Sequence, residues 1–322
     1  MIKNVVTIGG GTGTFAVLSS LRRIPDLALS AIVTTADDGG STGHLRDAYG
    51  FLPAGDARQA LVALAEDGNV LRDLFAYRFT KSDLAGHNLG NLFITALTDL
   101  LGSDRAGLEE ASRILRVSGT VIPATDTSSI IVATLSDGSV IRNEHLIDER
   151  VIGRSRIATL AFDAPVPLAV QAKEAIEQAD TIIIGPGDLY TSSIAALLPE
   201  GMKEALHHSS AKLIYIANLF TKTGQTEGYA LSSHVEEIAR YAGRAPDHIL
   251  VHEGELPKEV LEWYASEGEF PLVDDMANDT RITRLSLASV NIVPPLPNDP
   301  VRRSLMRHDP ALVAEALRPL FA

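Results

Sequence analysis

The sequence predicts an α/β fold, a doubly wound parallel sheet interrupted by a helical and β-hairpin insertion. Three observations carry this prediction. Near the start, Val5-Val6-Thr7-Ile8 runs straight into Gly9-Gly10-Gly11-Thr12-Gly13, an apolar strand entering a glycine turn, and a helical pattern follows over 14–22. Short apolar runs alternate with helical patterns at both ends of the chain, which implies parallel strands joined by right-handed crossovers. The middle breaks that alternation, with helical periodicity dominating 44–117 and an antiparallel-looking stretch over 120–162.

The individual elements follow from pattern and punctuation. Apolar runs bounded by turn residues predict strands over 4–8, 29–35, 181–184, 213–217, 248–252 and 272–273. Between them, helical spacing predicts helices over 168–178, 233–241 and 257–265. The middle segment adds helices over 56–65, 70–77, 90–101 and 108–117. Ser136-Asp137-Gly138-Ser139 reads as a hairpin turn. The prolines of 292–300 predict an extended connection. Beyond them Asp309 suits an N-cap and Pro310 the first helical position. The helix to 320 carries Leu312, Val313, Ala316 and Leu317 at amphipathic spacing, so it should dock on the sheet domain. The expected division is a sheet domain of residues 1–43 and 164–322, with 44–163 inserted.

Composition bounds the function. With 322 residues, 45% hydrophobic and 21% charged, the chain is an ordinary globular protein with a large core. No apolar run approaches the roughly 20 residues that span a bilayer. The strand begins too early for a signal peptide, so the expected location is the cytoplasm. Cysteine is absent, which removes disulfides, thiolate nucleophiles and cysteine-based zinc sites. A net charge of −13 argues against nucleic acid as a partner. A phosphorylated ligand would need help from a metal ion or from well-placed arginines.

Glycine lacks Cβ, so Gly10, Gly11 and Gly13, with Thr12, allow an anion to approach backbone amides at a helix N-terminus. The dinucleotide fingerprint is incomplete, because Thr14 stands where its third glycine belongs, and NAD stays open. A P-loop would need Lys-Ser or Lys-Thr after Gly13, and Thr14-Phe15 follows instead. The second strand leads into Asp37, Asp38, Gly39, Gly40 and Ser41, which reads either as a surface turn or as carboxylates for a ribose or a divalent cation. Asp56 reads as an N-cap, and Arg58 close behind it suits an anion better than a helix start. His87, Asn88 and Asn91 combine an acid–base group with neutral donors and acceptors, although Asn88 also suits a helix cap. Gly185, Gly187, Asp188, Tyr190, Thr191 and Ser192 repeat the strand–glycine–hydroxyl pattern of the first loop. Asn218 closes the following strand, and the polar exit through Thr221 could line the same crevice. Trp263 and Tyr264 read as packing residues, and His207-His208 as a helix C-terminus.

As a set, these loops and the ending Arg307-His308-Asp309-Pro310 resemble the gluconeogenesis factor family, within the superfamily of 2-phospho-L-lactate transferase (CofD-like) proteins. The matching segments run from Gly9-Gly10-Gly11-Thr12-Gly13 through Ala36 to Ser41, Pro53 to Asp56, Gly86 to Asn91 and Gly185 to Ser192, covering nearly the whole chain. The resemblance implies a Rossmann-like fold with a small helical subdomain and a cytoplasmic protein that binds UDP-sugars. It also implies a link to cell shape and wall homeostasis on gluconeogenic carbon sources. The transferase branch uses a divalent metal, and its acidic residues fall in places similar to Asp37, Asp38 and Asp56, so Mg2+ enters only with that reading. Gly-His-Asn-Leu-Gly-Asn at 86–91 looks like the gluconeogenesis factor side instead. The expected function is a UDP-N-acetylglucosamine-like binding regulator, with a phospholactate-type transferase and an NAD-binding protein as alternatives. Charge balance names Arg307 as the arginine that meets the diphosphate. A homo-oligomer and a regulatory protein partner are left open.

Overall fold

The computed structural model describes residues 1–150, 155–289 and 304–321. In chain order the first half runs β1 (Lys3–Gly9), α1 (Gly11–Leu21), β2 (Leu27–Val33), α2 (Gly40–Tyr49), α3 (Gly55–Leu64), α4 (Val70–Ala76), α5 (Leu89–Leu101), α6 (Asp104–Leu115) and β3 (Thr120–Pro123). Next come β4 (Ile131–Leu135), β5 (Val140–Arg142), α7 (Glu144–Asp148), β6 (Ile157–Phe162), α8 (Val170–Glu177) and β7 (Thr181–Ile184). The last part holds α9 (Met202–His208), β8 (Lys212–Ile216), α10 (Leu231–Ala242), β9 (His248–His252), α11 (Lys258–Ser266), β10 (Ile282–Leu285) and α12 (Pro310–Leu317).

Seven strands form one sheet in the order β10-β9-β8-β7-β1-β2-β3, and every pairing in it is parallel. Strand alternation sends neighbouring side chains to opposite faces. Val5, Ala31 and Ile183 pack under α1, α3 and α12, while Val6, Ile32 and Ile182 face α8, α9, α10 and the small sheet. Both faces are therefore covered, as expected for a doubly wound sheet. The chain leaves β1 toward β2 on one side and returns through β7 on the other. The gap between β1 and β7 is thus a topological switch point, where ligands collect beyond the strand ends.

Two strand expectations are corrected. Residues 120–123 do not open the antiparallel stretch: they pair parallel with β2 as an edge of the main sheet. The antiparallel sheet is β5-β4-β6 alone. Residues 272–273 contribute only a single bridge, Ala230 with Val273, and the outer strand is β10. Its sequence Ile-Thr-Arg-Leu gives little apolar signal because an edge strand need not be apolar throughout: Thr283 and Arg284 are half-buried, and Arg284 pairs with Asp274 at 2.6 Å. The proline-rich connection expected over 292–300 lies outside the described residues. Asp309 caps α12 as expected, accepting from the amides of Ala311 and Leu312. No helix among the described residues is long and apolar enough to cross a membrane.

Candidate functional site

A cavity of about 930 Å³ opens at the switch point, within the size range of small-molecule sites. Its floor is made by the loops after β1 and β7. Gly10 caps α1 in an extended conformation, and Gly11 has φ +65°, a left-handed backbone that favours glycine. A Cβ on Gly13 would collide with the Pro186 carbonyl, so the two glycine loops pack against each other. Asn218, just past β8, donates to the Gly187 carbonyl at 2.7 Å and fixes the second loop from the side. Beyond Asp188 that loop continues as a π-helical turn, Leu189–Ile194.

Asp56 behaves differently from the expected cap. The cap position of α3 is Ala54, which makes no side-chain cap bond, and Asp56 lies inside the first turn. Its carboxylate crosses to α1 and accepts from the Gly11 amide at 2.7 Å. Carboxylates need N–H donors when buried, and the N-terminus of α1 supplies one.

Seven more acids line the cavity: Asp37, Glu144, Asp148, Glu149, Asp188, Glu267 and Glu269. Burial raises Asp37, opposed by the Gly39 amide and Thr42. Burial, reinforced by Asp37, lifts Asp56 to about 7. Glu144 is pushed well above the usual carboxylate range by burial and then by Asp37 and Asp148. Burial and Asp188 raise Asp148 to about 6, against the pull of Lys222. Lys222 sits 3.4 Å from Asp148 and 3.7 Å from Asp188. Arg58, Arg78, Arg150 and Arg307 also line the cavity, more positive charge than the sequence neighbourhood of the loops supplies. At the far rim Trp263 and Tyr264 line the space, and Phe220 stacks on Tyr264 with ring centres 3.8 Å apart.

Of the residues singled out by sequence, Gly10, Gly11, Thr12, Gly13, Asp37, Gly39, Ser41, Asp56, Asn91, Gly187, Asp188, Thr191, Ser192, Asn218 and Arg307 line the cavity. Others do not. Asp38 turns away and accepts from the His145 amide and the Asn143 side chain, both at 2.8 Å, which ties α7 to the β2 loop. His87 contacts Ser41 at 3.1 Å, and Asn88 caps α5 by accepting from Asn91. Both knit α2 to α5 behind the cavity. Tyr190 is buried in the core against the Tyr229 hydroxyl at 2.9 Å, and Gly185 packs beneath Ile216. Gly40 starts α2. Glu144, Asp148, Arg78, Arg150 and Lys222 carried no sequence signal, because no motif surrounds them and only folding brings them together. The sequence reading of Trp263 and Tyr264 as packing residues is incomplete, since both also face the cavity.

A divalent metal of the transferase type would need Asp37, Asp38 and Asp56 to converge. They do not, because both oxygens of Asp38 are engaged by α7. Among the described residues no group of three or more histidines and acids is arranged to hold a metal ion.

Comparison with known proteins places this geometry. The family model of 2-phospho-L-lactate transferase CofD matches residues 5–293. The chain belongs to the CofD family. It is 38% identical over 317 residues to the gluconeogenesis factor of Halalkalibacterium halodurans, covering 98% of this chain and 95% of that one. The gluconeogenesis factor of Bacillus subtilis is 36% identical over 317 residues, covering 97% and 96% of the two chains. A crystal structure of a UPF0052 family protein from Bacillus halodurans superposes with a TM-score of 0.88 at 35% identity, covering 98% of this chain and 99% of that one. Within the CofD family the chain is thus similar to gluconeogenesis factors over nearly its whole length.

Proposed function

We propose that this chain is a cytoplasmic regulator that binds a nucleotide sugar, UDP-N-acetylglucosamine or a close relative, and serves cell shape and wall homeostasis on gluconeogenic carbon. The observation that carries the reading is the composition of one cavity: two facing glycine loops, cations from five distant segments, and an aromatic rim. The Gly11 amide is held by Asp56, so the backbone amides that suit a diphosphate are those of Thr12 and Gly13 and of the facing 187–191 loop. Arg307 and Lys222 offset its charge, and the stacked Phe220–Tyr264 pair suits a base. Asp37 offers a partner for sugar hydroxyls.

The decisive experiment is calorimetric titration with UDP-N-acetylglucosamine, NAD and a deazaflavin precursor, each with and without Mg2+. UDP-N-acetylglucosamine is expected to bind in either condition and to be recovered chemically intact. Binding of NAD alone would replace the reading with the dinucleotide one. A second reading, a phospholactate-type transferase, has one observation in its favour: Asp37 lies close enough to the buried Asp56 to raise its proton affinity. Turnover of an activated phospholactate donor, lost in Asp56→Asn, would make that reading the better one.

A further inference from the structure

Helix α5 carries its apolar face outward. Its buried positions are Gly90, Asn91, Ile94, Thr95 and Thr98, all small or polar except Ile94. Packing and the cavity account for that choice. A Cβ on Gly107 of α6 would meet the Thr98 hydroxyl at 2.6 Å, so the two helices approach too closely for bulky side chains between them. At the cavity end of α5, Asn91 accepts from Arg58 Nε at 2.8 Å. The leucines are left for the opposite side. Leu92, Ala96 and Leu100 follow at i, i+4 and i+8, with Ala96 exposed and Leu100 78% exposed.

Helix α4 continues this surface. Phe75 is its buried anchor, packed on Phe93 of α5 with ring centres 5.0 Å apart. Val70, Leu71, Leu74 and Tyr77 fall at helical spacing along one side of α4 and all stay exposed, Val70 at 71% and Tyr77 at 50%. With Leu100 and Leu101 these residues leave on the order of 600 Å² in water, at the upper end of the largest patch on a typical monomer. The half-buried Leu92, Phe93 and Leu97 extend it toward the ~800 Å² that each partner gives to a standard interface.

Charge names the occupant. Residues 70–101 carry Arg72, Arg78 and Lys81 against Asp73, Asp83 and Asp99, which cancel, on a chain of net charge −13. Two copies of so acidic a chain repel least where local charge cancels, whereas a basic partner would be drawn to the rest of the surface. We propose that the α4–α5 face is an interface with a second copy of this chain, related by a two-fold axis. In such a pairing one self-complementary patch serves both copies. Ala96, set between Leu92 and Leu100, leaves the groove into which ridges of the facing helix fit. The inference goes beyond the nucleotide-sugar reading and does not rest on it, since neither Val70 nor Leu100 lines the cavity.

Sedimentation velocity at micromolar concentration should give wild type the mass of two chains, each 34.4 kDa. The double variant Val70→Asp, Leu100→Asp should sediment as one chain and keep its circular dichroism spectrum, because both positions are exposed in the single chain. A monomeric wild type, or a double variant that stays dimeric, overturns the proposal. The chain has no cysteine, which permits a second measurement without a disruptive substitution. Leu74→Cys, Ala96→Cys and Leu100→Cys are oxidised one at a time, with the exposed Glu255→Cys beyond β9 as control. Equivalent residues near a two-fold axis face each other, so at least one of the first three should form a covalent dimer and the control should not. Cross-linking at none of the three, or as readily at Glu255→Cys, overturns the pairing. Titration with UDP-N-acetylglucosamine reads the cavity separately, and a failure there leaves this interface standing.

Discussion

The two sides of the cavity are built on opposite principles. On the β1–β2 side, Asp37 and Asp56 crowd together, with Glu144 reaching in from α7, and burial holds all three above the ordinary carboxylate range. On the β8–β9 side stand Lys222 and Arg307 with Glu267 and Glu269, the neutral His308 and an aromatic rim. A diphosphate is repelled by the first side to the extent that its carboxyls are ionised, and Lys222 and Arg307 on the second side are the cations placed to offset it. At 4 Å and an effective dielectric near 20, a like-charge pair costs about 4 kcal/mol, enough to decide which way a ligand lies. The difference teaches how the proposed ligand would lie: its phosphates toward Lys222, Arg307 and the glycine loops, its hydroxyls toward the acidic side.

The largest expected effect removes the cationic side's reach. Arg307→Ala should weaken UDP-sugar binding by about 1.5–3 kcal/mol, the range for a charge-assisted hydrogen bond, or roughly ten- to a hundredfold. EDTA should change the affinity little in calorimetry. A silent Arg307→Ala with a large EDTA effect would break the comparison, because the acidic side would then be holding the phosphates through a metal.

The two sides also differed in how far the sequence announced them. Asp37, Asp56 and the glycine floor are local: Thr-Ile-Ile-Ile before Gly-Pro-Gly, or a strand ending near Asp37, can be read from adjacent residues, whereas Glu144 joins them only through folding. The β8–β9 side is assembled at long range. Asn218 and Thr221 were legible as the exit of a strand, but Lys222 gains meaning only from Asp148, more than seventy positions earlier, in a helix without a motif. Tyr190 shows the converse. Its loop was legible, but the π-helical turn that carries it points this ring into the core, and no spacing rule predicts a single-turn π-helix. β3 was misassigned because its four residues follow a long helical excursion, and parallel pairing across such a gap leaves no local trace.

A smaller effect follows from protonation. Asp56 titrates near 7 in the folded chain but at an ordinary carboxylate value when unfolded, with burial and Asp37 as causes. Its folded value is raised, so the protonated form favours the fold. That stabilisation is complete below about pH 4 and is lost as pH rises through 7. Melting temperature should therefore fall across that window for wild type, and Asp56→Asn should flatten this part of the profile. A diphosphate also prefers the protonated carboxyl, so affinity should decline between pH 6 and 8.5, by about tenfold at most. An unchanged pH profile of both quantities in Asp56→Asn would show that the acidic side does not sense the ligand.

The smallest effect separates the acidic side from its support. Asp38 lies next to Asp37 in sequence, yet its side chain is nearly buried and accepts from the Asn143 amide group and the His145 backbone. Arg46 stands 3.7 Å from it. These bonds seat α7, which carries Glu144 and Asp148 into the cavity. Asp38→Ala leaves two donors and a guanidinium short of their partner, and the stability cost should be about 1–3 kcal/mol. Binding should suffer only through displacement of α7, by a few-fold, an effect well below that of Arg307→Ala. Chemical denaturation paired with calorimetry distinguishes the two roles. Undiminished stability together with abolished binding would move Asp38 from support to ligand contact, and would place a fourth carboxylate on the acidic side after all.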